Sequence, residues 1–117
     1  MPLGNLGQSA ERHAVHYLEN LSFSIITRNY HAGRLGEIDI IAEKNRTLHF
    51  VEVKARQYSL RSAAQAVSPT KLRKLVLSSQ HFLRHSRYQD SEWQIDLLCI
   101  LQKQSVRTFL LIENITM

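Results

Sequence analysis

A chain of 117 residues fits one domain around one core and leaves no room for a second. Hydrophobic residues at 44% and charged residues at 21% belong to a globular protein, and neither a membrane-length apolar run nor a charged apolar leader stands in the sequence, so a cytoplasmic protein with no membrane partner is expected. The net charge of +5 and pI near 9.7 permit a nucleic-acid partner without requiring one, and Cys99 as sole cysteine excludes a disulfide framework or a thiolate metal site.

Asn5 to Asn20 reads as a helix, because Leu6, Ala10, Ala14, Tyr17, Leu18 and Leu21 recur at helical spacing. Asn5 with Gln8 offers a capping arrangement at its start. Glu11 sits at the margin of the apolar face, where spacing alone makes it a solvated flank residue, and His13 and His16 read as surface or border residues. Phe23 to Tyr30, rich in β-branched and aromatic residues, is the first strand. Gly33-Arg34-Leu35-Gly36 then turns the chain into the second strand, the glycines supplying permissive backbone angles.

Ile38 to Ala42 and Leu48 to Val53 are apolar, β-branched runs around the polar stretch Lys44-Asn45-Arg46-Thr47, the pattern of a β-hairpin with two buried strands. A turn centred on Asn45-Arg46 sets Asp39 opposite Glu52 and Glu37 opposite Lys54, all four on one face of the hairpin. Glu37 with Lys54 alone is an ordinary cross-strand ion pair. Asp39 facing Glu52 is not, since like charges directly opposite one another destabilise a sheet and unpaired buried carboxylates are costly. A divalent cation such as Mg²⁺ gives the pair a purpose, because hard cations take one or two carboxylates together with substrate phosphate oxygens.

Arg56 to Val67 has weak periodicity and reads as a loop or short helix leading away from the hairpin. Ser68-Pro69 marks the next helix start, serine as N-cap and proline at the first helical position. Leu72, Leu75, Val76, Ser79, Phe82 and Leu83 form its inward stripe, and Lys71, Arg73, Lys74, Arg84 and Arg87 its basic side. His81 and His85, four apart, lack a glutamate between them and a third ligand, and read as part of a solvated face. Trp93 to Gln102 and Val106 to Ile112 are two further strands joined through Lys103-Gln104-Ser105, with Cys99 packed in the first. Asp96 interrupts that strand; metal contact and a structural hydrogen-bonding role are both open to it. The order αβββαββ, with an antiparallel meander followed by a strand–helix–strand crossover, predicts an α/β fold: a mixed sheet flanked by helices.

Asp39 followed after a hairpin-sized gap by Glu52-Val53-Lys54 resembles the PD-(D/E)XK nuclease signature. Gly36 to Ala42 with Phe50 to Arg56, together with Gly7, Glu11, Ala14, Tyr17-Leu18, Arg28-Asn29, Ala66-Val67, Lys71 and Asp96, resembles the YraN family of small bacterial Holliday-junction-resolvase-like nucleases along nearly the whole chain. Ile38 stands where the signature has proline, Ala10 where the family often has glycine, and Glu113-Asn114-Ile115 matches only in part. The resemblance implies one restriction-endonuclease-like domain over residues 1–117 and a metal-dependent endonuclease acting on DNA, including branched DNA. Within that reading Asp39, Glu52 and Lys54 are catalytic, Asp39 and Glu52 with Glu37 and Glu11 hold Mg²⁺ or Mn²⁺, and Arg34, Arg56, Lys71, Arg73 and Lys74 bind nucleic acid. A homodimer is left open. The competing reading is a non-catalytic nucleic-acid-binding module or an adaptor in DNA processing.

Overall fold

The computed structural model describes the backbone of residues 3–56 and 67–116 and, within them, the side chains from Ser9 onward, Arg56 excepted. Helix α1 (Leu3–Asn20) leads into strand β1 (Ser24–His31), a 3₁₀ turn (Gly33–Leu35), β2 (Glu37–Lys44) and β3 (Thr47–Arg56); helix α2 (Pro69–Arg84), β4 (Glu92–Lys103) and β5 (Val106–Ile112) follow. The five strands form one sheet in the order β1-β2-β3-β4-β5. β3 and β4 are parallel and every other neighbouring pair is antiparallel, which is the mixed α/β architecture and the element order expected from the sequence. The loop or short helix expected over Arg56 to Val67 falls, between 57 and 66, outside the described residues. Among the described residues no helix is long and apolar enough to cross a membrane.

Strand alternation separates the core into two layers. On one face Ala10, Ala14 and Leu18 of α1 pack with Ile40, Ala42, Val51, Leu98 and Ile100. On the other, Leu75 and Leu83 of α2 pack with Ile41, Leu48, Phe50 and Ile95, the odd and even neighbours in the same strands. Tyr17 stacks on Phe109 with ring centroids 4.5 Å apart, extending the α1 layer to β5. Helix α1 begins at Leu3, so Asn5 lies inside it and is not the N-cap the sequence suggested.

The hairpin has the expected register, from Lys44↔Thr47 to Ile40↔Val51. Asn45 and Arg46 form its two-residue turn with φ of 53° and 65°, the mirror-image geometry whose twist matches that of paired strands. β1 is less regular. Its register against β2 shifts between Ile25 and Thr27, and Asn29 takes φ 52°. The left-handed residue interrupts strict alternation, so the consecutive side chains Arg28 and Asn29 both reach Glu11 on α1.

Ser68 caps α2, its Oγ accepting from the Lys71 N–H at 3.1 Å, with Pro69 in the first turn as expected. Ser78 is buried as well as the predicted stripe, and its hydroxyl has no partner among the described residues. His81 departs from the solvated face assigned to it: it is half-buried, with Nδ1 2.5 Å from the Tyr30 hydroxyl. The reason is that Tyr30 and Phe82 pack edge to face, drawing this side of α2 onto β1. Cys99 is buried in β4.

Candidate metal and nucleic-acid site

The β2–β3 ladder ends at Ile40↔Val51, and immediately beyond it Asp39 bridges the strands with its side chain. The Val53 N–H donates to Asp39 Oδ2 at 2.8 Å. The same carboxyl lies within hydrogen-bonding reach of Glu52. Burial, foremost, and the neighbouring Glu52 charge raise the Asp39 pKa from 3.8 to about 7; Glu11 adds to the rise and the Val53 N–H opposes it. At neutral pH the Asp39 carboxyl is therefore in part protonated.

Glu52 is 4% exposed at its side chain and is not the unpaired carboxylate the sequence suggested. Its Oε2 receives Lys54 Nζ at 3.5 Å and Lys71 Nζ at 3.3 Å. Lys71 thus leaves the outward basic side of α2 predicted for it. It flanks the apolar stripe one residue before Leu72, and its long side chain carries the ammonium inward. The expected Glu37–Lys54 pair is absent as well. Glu37 is the register partner of His31, and its Oε2 lies 3.1 Å from His31 Nδ1, while Lys54 turns to Glu52 two residues along its own strand face.

Glu11, assigned by spacing to solvent, has a side chain only 13% exposed and accepts from Arg28 Nε at 3.1 Å and Asn29 Nδ2 at 2.9 Å. It joins the acidic group from the α1 side, near enough for its charge to act on Asp39. Arg34, in the 3₁₀ turn, and Arg73 and Lys74, on α2, are exposed. The Arg56 side chain lies outside the described residues.

An open cavity of about 290 Å³ adjoins the acidic group, lined by His31, Gly33, Gly36, Glu37, Lys71 and Lys74. Gly36 is one of its lining residues. Its φ of 137° suits glycine alone, and a Cβ there would stand 3.0 Å from Ser78 Oγ and 3.5 Å from Lys74 Cβ. The absence of a side chain is what lets the turn lie directly on α2, beside Ser78 and Lys74.

The family model described as Uncharacterised protein family UPF0102 matches residues 10–100, a span that includes Glu11, Asp39, Glu52, Lys54 and Lys71. The chain belongs to the UPF0102 family. This is the YraN family of the sequence resemblance. The UPF0102 protein of Sulfurovum sp. (strain NBC37-1) is 40% identical over 111 residues, covering 95% of this chain and 93% of the relative. That of Aliarcobacter butzleri (strain RM4018) is 36% identical over 112 residues, with 95% and 96% covered. That of Geotalea daltonii is 42% identical over 98 residues, with 83% and 76% covered.

This UPF0102 protein carries a second polar cluster that the sequence did not disclose. Asp96 is fully buried on the α1 face of the sheet; its Oδ2 lies 2.6 Å from His49 Nδ1, and its Oδ1 accepts from Gln94 Nε2 at 2.8 Å and the Asn114 N–H at 3.0 Å. Ligand atoms of His49, Asp96 and Glu113 lie within 4.8 Å of one another, a His/Asp/Glu cluster that could hold a metal ion. None of the three is among the metal residues expected from the sequence. Of the two roles left open for Asp96, hydrogen bonding is the one seen, since three donors already occupy both of its oxygens. The available signal was weak: His49 is one polar residue in an apolar strand, and only the parallel pairing of β3 with β4 brings it to Asp96.

Proposed function

We propose that this UPF0102 protein is a metal-dependent nuclease acting on DNA. The carrying observation is the Asp39 carboxyl held against Glu52 at the open end of the hairpin, with Lys54 on the same glutamate. The half-buried Asp39 carboxyl in contact with the buried Glu52 suits a hard divalent cation, which would favour the ionised form of Asp39 at neutral pH. Asp39 and Glu52 would hold Mg²⁺ or Mn²⁺, with Glu11 and Glu37 as outer acidic groups. Such a cation, when bound, supplies Lewis-acid polarisation of a phosphodiester and a more acidic water. Lys54 orients the attacking water or offsets charge developing on the phosphate, the role expected of a fixed cation in a site of low exposure. Arg34, Arg56, Arg73 and Lys74 would contact backbone phosphates, which position a nucleic acid without reading its sequence. The family resemblance extends the proposal to branched DNA.

One observation favours a second reading, a binding module without chemistry. Lys54 and Lys71 already offset the Glu52 charge, so the fold does not need a cation to tolerate that residue. The two readings separate in one assay. Linear, nicked, single-stranded and junction DNA, with RNA beside them, are incubated with Mg²⁺ or Mn²⁺ and the wild type, Asp39→Ala or Glu52→Ala. The nuclease reading expects cleavage by the wild type alone. Cleavage that survives both substitutions, or no cleavage of any substrate, overturns it.

A further inference from the structure

Lys71 belongs to two environments at once. Its Nζ is 3.3 Å from Glu52 Oε2, and its side chain also lines the cavity formed by His31, Gly33, Gly36, Glu37 and Lys74. Its backbone is fixed, because Ser68 Oγ accepts the Lys71 N–H and the Ser68 carbonyl accepts the next one, from Leu72. Its four-carbon side chain is 34% exposed, and Glu52 is its one ion-pair partner among the described residues. Glu52 Oε2 holds Lys54 as well, at 3.5 Å, so the oxygen that a cation would use carries two ammonium groups.

We infer that Lys71 is a transferable cation: it stands in for the metal on Glu52 in the free protein and passes to a substrate phosphate in the adjoining cavity when the metal is bound. This deepens the nuclease reading and rests on it. Of the two lysines, Lys54 comes from the same strand as Glu52 and is 22% exposed, whereas Lys71 comes from α2 and faces an open cavity. Lys71 is thus the one with somewhere to go. In the cavity Lys74 supplies a second positive charge, and the His31–Glu37 pair already engages the one carboxylate there. A phosphate flanking the scissile one is the anion this arrangement fits. Exchange of Lys71 between Glu52 and phosphate couples the two ligands, and by linkage each must then tighten the other equally.

The test reads binding, not turnover. Mn²⁺ affinity of the DNA-free protein is measured by electron paramagnetic resonance, and affinity for a fluorescein-labelled duplex by anisotropy in Ca²⁺, with integrity of the duplex checked on a gel. Lys71→Gln removes a competitor for Glu52, so Mn²⁺ should bind about two- to fivefold more tightly, the range expected for a partly exposed ion pair. The same substitution should weaken duplex binding severalfold and lower its salt slope in Ca²⁺ by about one. Lys74→Gln should weaken duplex binding but leave Mn²⁺ affinity as in wild type, which separates contact with Glu52 from the general field of a nearby charge. Lys71→Arg, which keeps the charge and reach, together with melts of each variant, guards against a folding defect. Opposite signs for metal and duplex in Lys71→Gln support the exchange, because a purely structural lysine would weaken both. Unchanged or weaker Mn²⁺ binding in Lys71→Gln, or unchanged duplex binding, overturns it. If Asp39→Asn leaves wild-type Mn²⁺ affinity intact, the metal site itself is absent and the nuclease reading falls with it.

Discussion

Replacing Asp39 by asparagine should stabilise the metal-free protein, and more so as pH rises. The Asp39 carboxyl titrates at 3.8 in an ordinary setting and at about 7 in the folded chain, because burial and Glu52 disfavour its charge. At about 1.4 kcal/mol for each tenfold change in proton affinity, ionising it in the fold costs up to about 4 kcal/mol. Well below pH 3.8 the group is protonated whether folded or unfolded and contributes nothing. As pH rises through the interval from 3.8 to about 7 the unfolded chain ionises first, the folded chain holds more protons, and stability falls. Above that interval the full penalty is present. Asparagine carries no charge at any pH, its Oδ1 can keep the Val53 N–H, and its Nδ2 can donate to Glu52. Urea denaturation in EDTA should therefore show Asp39→Asn more stable than wild type by about 2–4 kcal/mol near pH 8 and by little near pH 4. Comparing the two proteins at each pH cancels the histidines. An advantage that does not grow with pH, or a variant less stable throughout, would refute the placement of the penalty on Asp39.

Metal addition should close that gap: Mg²⁺ or Mn²⁺ should raise the thermal midpoint of the wild type by mass action and do much less for Asp39→Asn or Glu52→Gln. Gly36→Ala should destabilise by about 1–3 kcal/mol in chemical denaturation, since it needs both a left-handed backbone and space held by Ser78 Oγ at 3.0 Å; adding Ser78→Ala should recover only part. Asp96→Ala should cost about 3–5 kcal/mol by the same assay, because it leaves His49, Gln94 and the Asn114 N–H without their shared acceptor. Arg46→Gly should stabilise by about 1 kcal/mol, as Arg46 occupies φ 65° in a turn that favours glycine.

The hairpin was legible because its information is local. Asn45-Arg46 sets the register, and alternation does the rest, so Asp39 and Glu52 could be brought together on paper. Local pattern stops being enough where the ladder ends. Nothing in the spacing of Glu37 says that it will turn to His31 across β1 and leave Lys54 to Glu52. Glu11 and Lys71 were harder still. Both sit at the margin of an amphipathic stripe, where periodicity cannot distinguish a side chain that folds inward from one that stays in water. His49 with Asp96 depended on a parallel pairing between strands separated by a helix, and the identity of such a partner is set by the whole sheet.

The strand order also has a consequence for how the protein is made. Every neighbour in the sheet is also a neighbour in sequence, and all the connections are short except the one from β3 to β4. As the chain leaves the ribosome, the β1–β2–β3 meander can pair while Glu92 to Lys103 has yet to emerge. During that interval β3 presents a long unpaired edge around Leu48, Phe50 and Val51, residues that end fully buried. Synthesis slowed over residues 57–91 would prolong that exposure, and the nascent chain would then be open to edge-to-edge association with its copies or in need of a chaperone until β4 arrives.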